Sequence, residues 1–542
     1  MSMPKAKVQR TLFDVPVLVG GLFAATDRYR VFREKILPAL VACREQLAGL
    51  YCADNGRPGI EPVLLAGVTL LQFMEKAPDR RAAENVRLHL GWKYALDLEL
   101  GDAGFHATSL VNFRARLLEG GQERMAFEAL LKALRTEGLI RKRSAQRLDS
   151  THVLGCVAKM SRLECVRETV RLVLEAIKRA SATDKLEGWT TWAERYVDSE
   201  PPWHRLSQEV LQNKFVQAGA DALRLIMWLR QQPATLRDSE QVQVLERVFL
   251  EQYEVRAAGT ERRAVQSSGN VNNPHDPDAQ WAAKDQAKTK TWVGYKAQLA
   301  ETMNEGCAPK AKGEPTEQFI TAVVTTEAIA SDLDGMQRVK AEEAVIGQET
   351  PVAWHVDAAY VTDDTLAEAH REDYELIGPA RPSRNSSGEL LYDADQFEVE
   401  VANRQAVCPA GYVSTQCSRL ENQESGEVQY RFEWAGQCDG CARQKQCTKS
   451  RSGRRMVVVG EHHDLLQRRR REMKTDAFKH RMRFRNSIEG TISEFTRGGG
   501  RRTRYRGLVK TALANYFQGA AINARRWISL VQWQQEVREP VA

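Results

Sequence analysis

Two aspartates that lie in short apolar segments constrain the fold of this 542-residue chain most. Asp149 lies in RLDSTHVLGCV, where the apolar spacing predicts a β-strand that begins near the aspartate. Asp357 lies in PVAWHVDAAY, and we expect it to end a short buried strand that precedes a helix. Because strands disfavour aspartate, each is either an ordinary strand-end carboxylate or a functional one, placed where open α/β sheets bind ligands.

Hydrophobic periodicity divides the chain into a helical part and a mixed part. Residues 1–140 show amphipathic helical patterns and predict an all-α domain, for which DNA binding and dimerisation both stay open. Residues 141–542 alternate strand and helix patterns and predict a mixed α/β domain. Helical spacing over residues 161–262 predicts an all-α insertion, and residues 385–460 form a second, cysteine-rich insertion.

Helix signals follow the second aspartate. Thr365 and Glu368 have the spacing of a capping box for the helix after Asp357. Towards the C-terminus, the spacing predicts one long helix or two between Leu465 and Ile492. This last stretch contains the acidic residue Glu489, discussed below.

Positive charge is concentrated in one region. The stretch from Arg443 to Lys510 contains 21 Lys/Arg and 6 Asp/Glu, although the net charge of the whole chain is only +7. A basic region on a mildly acidic body is typical of a nucleic-acid binder, and a solvated basic face is the alternative.

Two glutamates lie within this basic region, in RFRNSIEGTISEFTRGGGRRTRYRG. Glu489 follows Arg485 by four residues, which places the two on one helix face. Glu494 lies about 140° further around a helix of 3.6 residues per turn. Glu489 is therefore the better candidate for a functional carboxylate.

The cysteines indicate a metal site and a reducing compartment. Five of the ten fall between residues 408 and 447, and the others are scattered, as reduced thiols usually are. The spacing of Cys408, Cys438, Cys441 and Cys447 predicts a structural zinc site in a zinc-ribbon-like insertion, with Cys417 as the spare. A redox Cys-x-x-Cys and a cluster of unligated thiols are the alternatives.

No apolar stretch approaches the roughly 20 residues that cross a bilayer. The apolar run at residues 15–25 loosely resembles a secretory signal, but it is interrupted by proline and glycine. We expect a buried or docking segment there and a cytoplasmic protein.

Asp149, Asp357 and Glu489 together supply hard oxygen ligands, which bind Mg²⁺ or Mn²⁺. Two such ions about 4 Å apart support in-line displacement at a phosphodiester. The surrounding arginines suit the phosphate backbone of DNA. The order of two aspartates on strands and a glutamate on a late basic helix favours a nuclease-type site.

With these residues in place, the chain resembles the DDE transposases of bacterial insertion sequences. The matching motifs occur in the expected order over most of the chain: LDSTHV, HDPDAQWAAKDQAKTKTWVGYK, HVDAAYVTDD, the CPAG, CDGC and Cys447 cluster, RNSIEGTISE with GGGRRTRYRGLVK, and AINARRW. In that family an arginine precedes the glutamate as Arg485 does here. Met482 and Thr496 stand where the family usually has a tyrosine and a lysine.

The resemblance implies a ribonuclease H-like catalytic core with Asp149, Asp357 and Glu489 as the Mg²⁺- or Mn²⁺-binding triad. It implies cleavage at element ends and strand transfer by a homodimer on double-stranded DNA in the bacterial nucleoid. The alternative is a catalytically inactive, zinc-containing DNA-binding protein or repressor. The residues expected to contact DNA are Arg485, Arg497, Arg501, Arg502, Arg504, Arg506 and Lys510.

Overall fold

The structure is a computed structural model of the chain. It describes residues 1–4, 11–52, 55–198, 206–256, 259–264, 267, 269–284, 287–303, 314–382, 392–423, 426, 428–448 and 450–538. No helix within these ranges is both long enough and apolar enough to cross a membrane.

The helices and strands alternate after a helical N-terminal part. The helices are α1 Val15–Val19, α2 Arg28–Val31, α3 Leu37–Val41, α4 Arg44–Ala48, α5 Pro62–Glu75, α6 Asp79–Leu88, α7 Leu90–Ala95, α8 Thr108–Glu119, α9 Met125–Thr136, α10 Arg162–Arg179, α11 Trp189–Tyr196, α12 Gln208–Leu229, α13 Ala234–Arg237, α14 Glu240–Gln252, α15 Asp332–Val345, α16 Asp363–Arg371, α17 Gln444–Cys447, α18 His463–Glu472, α19 Asp476–Arg483, α20 Ile488–Phe495 and α21 Leu508–Arg538. The strands are β1 Ala145–Leu154, β2 Tyr253–Arg256, β3 Gly259–Arg262, β4 Gln280–Ala283, β5 Thr291–Met303, β6 Ile320–Glu327, β7 Ala353–His355, β8 Glu375–Ile377, β9 Glu398–Glu400, β10 Gln405–Val407, β11 Gln416–Glu421, β12 Val428–Glu433 and β13 Met456–Gly460.

A central mixed sheet organises the second part of the chain, which confirms the mixed α/β prediction. Its order is β6, β5, β1, β7, β8, with β4 pairing the first residues of β5. Strand β1 is antiparallel to β5 and parallel to β7, and β7 is parallel to β8. Asp149 lies in the middle of β1. The sequence predicted that the strand begins near Asp149, so the predicted start of the strand is wrong. Strand β7 ends two residues before Asp357.

The N-terminal helices are confirmed as helices and pack directly on the rest of the chain. Their buried side chains share one apolar core with α21 and with residues of β1, β5 and β6. Arg135 of α9 also donates to the carbonyl of Ile346, at the end of α15. The domain boundary near residue 140 stays a prediction, because this core is continuous across it.

The two predicted insertions each have an apolar core of their own. Helices α10 to α14 surround one such core, and α10 begins with a capping box formed by Ser161 and Glu164. The all-α prediction is wrong at the end of this region, because β2 and β3 form a hairpin there. Strands β9 to β13 supply a smaller core around Phe432 and Trp434.

Side-chain caps fix several helix ends and correct one prediction. Helix α16 is capped by Thr362, whose partner in the capping box is Thr365. The predicted box of Thr365 with Glu368 is therefore wrong, because the helix begins three residues earlier than that spacing requires. The predicted long helix near the C-terminus is divided into α18, α19 and α20.

The HDPDAQ motif holds the start of the long helix α21. Asp276 accepts the backbone N–H of Gly507 at 3.0 Å, and Asp278 accepts that of Leu508 at 3.0 Å. Tyr295 of β5 donates to the same Asp276 carboxylate at 2.6 Å. Carboxylates at the N-terminus of a helix satisfy its free N–H groups and complement its dipole, so this loop fixes α21 against the sheet.

Two adjacent glutamates of α15 are buried against the sheet. Burial raises the pKa of both Glu342 and Glu343 to about 7. Tyr516 of α21 donates to Glu342 at 2.6 Å, whereas one carboxyl oxygen of Glu343 has no hydrogen-bond partner. Each neutral carboxyl is therefore favoured in the folded chain well above its ordinary pKa.

This pair predicts that Glu343→Gln stabilises the protein only at higher pH. Between the ordinary pKa of 4.5 and about 7, the folded chain retains a proton that the unfolded chain loses, so the free energy of unfolding falls as pH rises. At pH 8 we expect the variant to recover about 3 kcal/mol of that loss, measured by denaturant unfolding. At pH 4 it should equal the wild type.

Glu349→Gln provides the control, because Glu349 is exposed just beyond α15. This variant should unfold like the wild type at both pH values. An equal gain for Glu343→Gln at pH 4 and pH 8 would show that the pKa of Glu343 is not raised.

Candidate active site

The structure brings Asp149 and Asp357 together at the centre of the sheet. Gln146 pairs with Trp354 and Arg147 pairs with His355, where β7 ends, and Asp357 follows two residues later, close enough to Asp149 to raise the pKa of its carboxyl. Asp149 accepts the N–H of Ser150 at 2.7 Å, and Asp357 accepts that of Ala359 at 2.7 Å.

The electrostatics of Asp149 are those of a crowded, buried carboxylate. Its pKa is raised to about 6, mainly by burial and also by the nearby carboxylates of Asp357 and Asp332. The guanidinium of Arg485 and the N–H of Ser150 act in the opposite direction. Perturbed carboxylates of this kind cluster at functional sites.

Arg485 is the counter-ion of Asp149. Its Nη2 lies 2.7 Å from Oδ2 of Asp149, and both side chains are mostly buried. The sequence indicated Arg485 as a DNA contact. That contact stays a prediction, and in the structure without DNA the guanidinium lies beside the carboxylate of Asp149.

Glu489 lies one helical turn after Arg485 but does not join the two aspartates. Helix α20 buries Ile488, Thr491 and Phe495, while Glu489 is exposed. Within the described residues, no three His, Cys, Asp or Glu side chains form a group that could hold a metal. The predicted triad is thus two adjacent aspartates and a glutamate on the neighbouring helix.

A buried ionic network anchors α20 to the sheet. Thr491 donates to Glu301 of β5 at 2.5 Å, and Arg526 of α21 donates to both residues, at 2.6 and 3.2 Å. Arg147 of β1 contacts the other oxygen of Glu301 at 3.1 Å. The helix that carries Glu489 is therefore fixed to the two strands beside the aspartates.

Sequence reasoning missed a third carboxylate in the site, that of Asp332. Ser150 donates to it at 3.0 Å, and Lys296 lies 3.3 Å from the same oxygen. Asp332 begins the helix after β6, and β6 runs parallel to β1, an arrangement that depends on a strand order the sequence does not give. Carboxyl ends of parallel strands meet at one edge of a sheet.

The predicted DNA-contact residues occupy two environments. Arg497, Arg502, Arg504, Arg506 and Lys510 are exposed. Arg501 is half-buried and donates to the carbonyl of His152, and its backbone pairs with Leu154 at the end of β1. The exposed residues follow α20 directly, so the basic surface continues from the helix that carries Glu489.

The four predicted zinc ligands converge on one cavity. Cys408, Cys438, Cys441 and Cys447 all line a space of about 30 Å³, whereas Cys417 does not line it. Burial raises the pKa of Cys447, and the three other thiols raise it further. Four thiols are the donor set that tetrahedral zinc takes, but among the described residues these four do not form a group that could hold a metal, so the zinc site stays a prediction.

Two regions of the chain match known families. Residues 22–116 match the family described as Transposase domain (DUF772), and residues 407–528 match the Transposase DDE domain. The second range contains the four cysteines and Glu489, while Asp149 and Asp357 lie outside both ranges. No curated protein and no solved structure matches the chain. The two family matches indicate a DDE-type transposase of the insertion-sequence kind.

Proposed function

We propose that this chain cleaves DNA at the ends of its insertion sequence and transfers the freed strand to target DNA, using Mg²⁺ or Mn²⁺. Asp149, Asp357 and Glu489 are the proposed ligands. The pairing of β1 with β7, which brings Asp357, two residues beyond β7, close to Asp149 on β1, is the observation that carries this proposal.

The strand order supports a ribonuclease H-like core for the catalytic part. Strands β1, β5 and β6 form an antiparallel meander, and β7 and β8 continue the sheet in parallel on the other side of β1. This arrangement supports a site in which Asp149 of β1 lies beside Asp357, which follows β7.

The donors suit a hard cation. Asp149 and Asp357 bring negative charge to one place, and burial makes that charge unfavourable at Asp149 unless a cation is near. Bound Mg²⁺ would activate a water or a 3′-hydroxyl and stabilise the leaving oxygen. Glu489 would complete the ligand set from the helix that is fixed beside the strands, because its side chain is exposed and free to move towards the aspartates.

Arg485 links DNA binding to this site in our proposal. Its guanidinium holds Asp149 in the DNA-free chain, and a backbone phosphate is a competing partner for it. Transfer of Arg485 to a phosphate frees the Asp149 oxygen for the cation. The exposed basic residues after α20 hold the same DNA by its phosphates. Bringing two element ends together calls for a homodimer.

We also propose that the cysteine-rich insertion binds one structural zinc. The convergence of four thiols on one cavity supports this. The small core around Phe432 and Trp434 adjoins three of those thiols, Cys408, Cys438 and Cys447, so the metal would stabilise an insertion whose apolar core is small.

A catalytically inactive DNA-binding protein is the second candidate function. The observation that favours it is the position of Glu489, which is exposed on α20 and does not form a metal-binding group with Asp149 and Asp357. Such a protein would bind DNA in a salt-sensitive way but would not cut terminal-repeat DNA when Mg²⁺ is added. The next experiment separates the two.

Replacing any one triad residue by its amide should abolish cleavage and spare DNA binding. We expect Asp149→Asn, Asp357→Asn and Glu489→Gln each to lower the Mg²⁺-dependent cutting rate by at least about 100-fold, because each removes a charged metal ligand. The assay follows nicking of DNA that flanks the gene of this chain, with affinity measured alongside.

Asp476→Asn is the matched control, because Asp476 is an almost fully exposed carboxylate of the same basic region. It should cut at the wild-type rate. Normal cleavage by Glu489→Gln would remove Glu489 from the site, and wild-type protein that binds but never cuts would favour the inactive candidate.

Arg485→Gln should tighten metal binding in the absence of DNA. Loss of the guanidinium frees an Asp149 oxygen and removes a repulsive positive charge, so we expect Mn²⁺ affinity to rise about tenfold by electron paramagnetic resonance. DNA cleavage should fall, because a phosphate contact is lost.

Arg481→Gln, one turn earlier, is the control, since Arg481 pairs with Glu375 on the protein surface. Its Mn²⁺ affinity should not change. If Arg485→Gln bound Mn²⁺ no better than the wild type, the proposed competition for Asp149 would be wrong.

Metal analysis should find one zinc per chain in the purified protein. Cys438→Ser or Cys441→Ser should release it and lower the melting temperature, because structural zinc contributes directly to folding. Cys417→Ser should retain the zinc, since this thiol does not line the cavity. Well under one zinc per wild-type chain would refute the site.

A further inference from the structure

A second cavity lies between the N-terminal helices and the basic segment after α20. Its volume is about 220 Å³, and helix α5, the glycines Gly498 to Gly500, residues 502–505 and helix α21 line it. A space of this size holds more than one water molecule. It belongs neither to the pair of aspartates nor to the cysteine cluster.

The floor of this cavity carries polar atoms with no partner. Gln518 of α21 is 2 % exposed, and both its amide oxygen and its amide nitrogen lack hydrogen bonds. Gln72 of α5 is 1 % exposed, and its free oxygen also lacks a partner. Burying an unpaired polar group costs about 1–3 kcal/mol, so these amides favour a ligand that supplies donors and acceptors.

The glycines explain how the amide of Gln518 is placed. A Cβ at Gly498 would come within 2.0 Å of its Nε2, so the backbone of this loop passes directly over the amide. Gly499 has a φ of 121°, which glycine adopts without strain. The three consecutive glycines therefore line the cavity with backbone only, and a side chain there would occupy the space beside the amide of Gln518.

The mouth of the cavity is aromatic and positively charged. Arg504 lies 5.9 Å from the ring centre of Phe73 and 5.4 Å from that of Tyr505. The buried hydroxyl of Tyr505 has no partner either. Arg502 and Lys76 are exposed among the lining residues. Flat apolar faces beside cations are what a base and its phosphate require.

We infer that this cavity binds one unstacked nucleobase of the DNA. The paired donor and acceptor of Gln518 match the edge of a base. The rings of Tyr505 and of Phe73, which also stacks on Phe517, line the same space, and Arg502 and Arg504 would meet the adjoining phosphates. Enzymes that hold a base outside the helix use this combination of edge hydrogen bonds and stacking. The inference rests on the proposed DNA-directed function and adds a binding site for one nucleotide, which we call the seat.

The test compares two duplex oligonucleotides that differ in one nucleotide. One carries a single unpaired 2-aminopurine, and in the other the same base is paired. We expect the wild type to bind the first about tenfold more tightly and to change the 2-aminopurine fluorescence on binding. Equal affinity for both, without a fluorescence change, would overturn the inference and leave a hydrated cavity.

Two variants alter the cavity in different ways. Gln518→Leu removes the unpaired amide and, because that amide is unsatisfied, should fold at least as stably as the wild type. Ala514→Leu fills the space from the same helix. Both should lose the preference for the unpaired base and keep the affinity for the paired duplex.

Gln534→Leu is the matched control, because Gln534 is exposed further along α21, and it should keep the preference. Retention of the preference by both cavity variants would overturn the seat. Wild-type protein that bound neither duplex would refute the DNA-directed function itself, an outcome distinct from a loss confined to the unpaired base.

Discussion

The carboxylate of Asp149 sits inside the central strand of the sheet, and much of the structure is arranged around that unfavourable charge. Burial raises its pKa, and two further aspartates raise it more. An uncompensated buried charge is strongly destabilising, so Arg485 is held against it. A fold that needed only stability would have an apolar residue at this position, as Leu148 and Val153 are on the same strand.

The position of Arg485 depends in turn on a second buried ionic group. Glu301 is fully buried and contacts Arg147, Thr491 and Arg526, which come from β1, α20 and α21. Through it, the segment that carries Arg485 and Glu489 is tied to the strand that carries Asp149. The N-terminal helices share their apolar core with α21, so they help to hold this arrangement. The matched transposase domains at the two ends of the chain thus meet in one core.

The sequence predicted the parts of the site that depend on local pattern. The strands around Asp149 and Asp357 and the helix of Glu489 were identified because their apolar spacing is local, and the cysteines because their spacing is short. The pairing of β1 with β7, the ion pair of Arg485 with Asp149 and the nearness of Asp332 could not be predicted. They join residues that are more than 180 positions apart and depend on strand order.

The errors have a similar origin. The β2–β3 hairpin follows a helical region, and its two short strands carry too few apolar residues to produce an alternating signal. The start of α16 was misplaced because two threonines three residues apart both fit a cap. Gln72 and Gln518 could not be predicted as functional residues, because glutamine is common in helices. Only the structure shows that their two helices line one cavity.

Strand β1 connects the two regions that we propose to contact DNA, the pair of aspartates and the cavity lined by Gln518. Its last residue, Leu154, pairs with the backbone of Arg501 and Thr503, and Thr503 lines the cavity with the unpaired amides. Asp149 lies five residues earlier on the same strand, which is about 17 Å at 3.4 Å per residue. Because one hydrogen-bonded strand sets this separation, a base held in the cavity would position the DNA relative to the aspartates. The distance between the seat and the reacting phosphodiester would then be fixed by the sheet, without any contact to the sequence of the intervening bases.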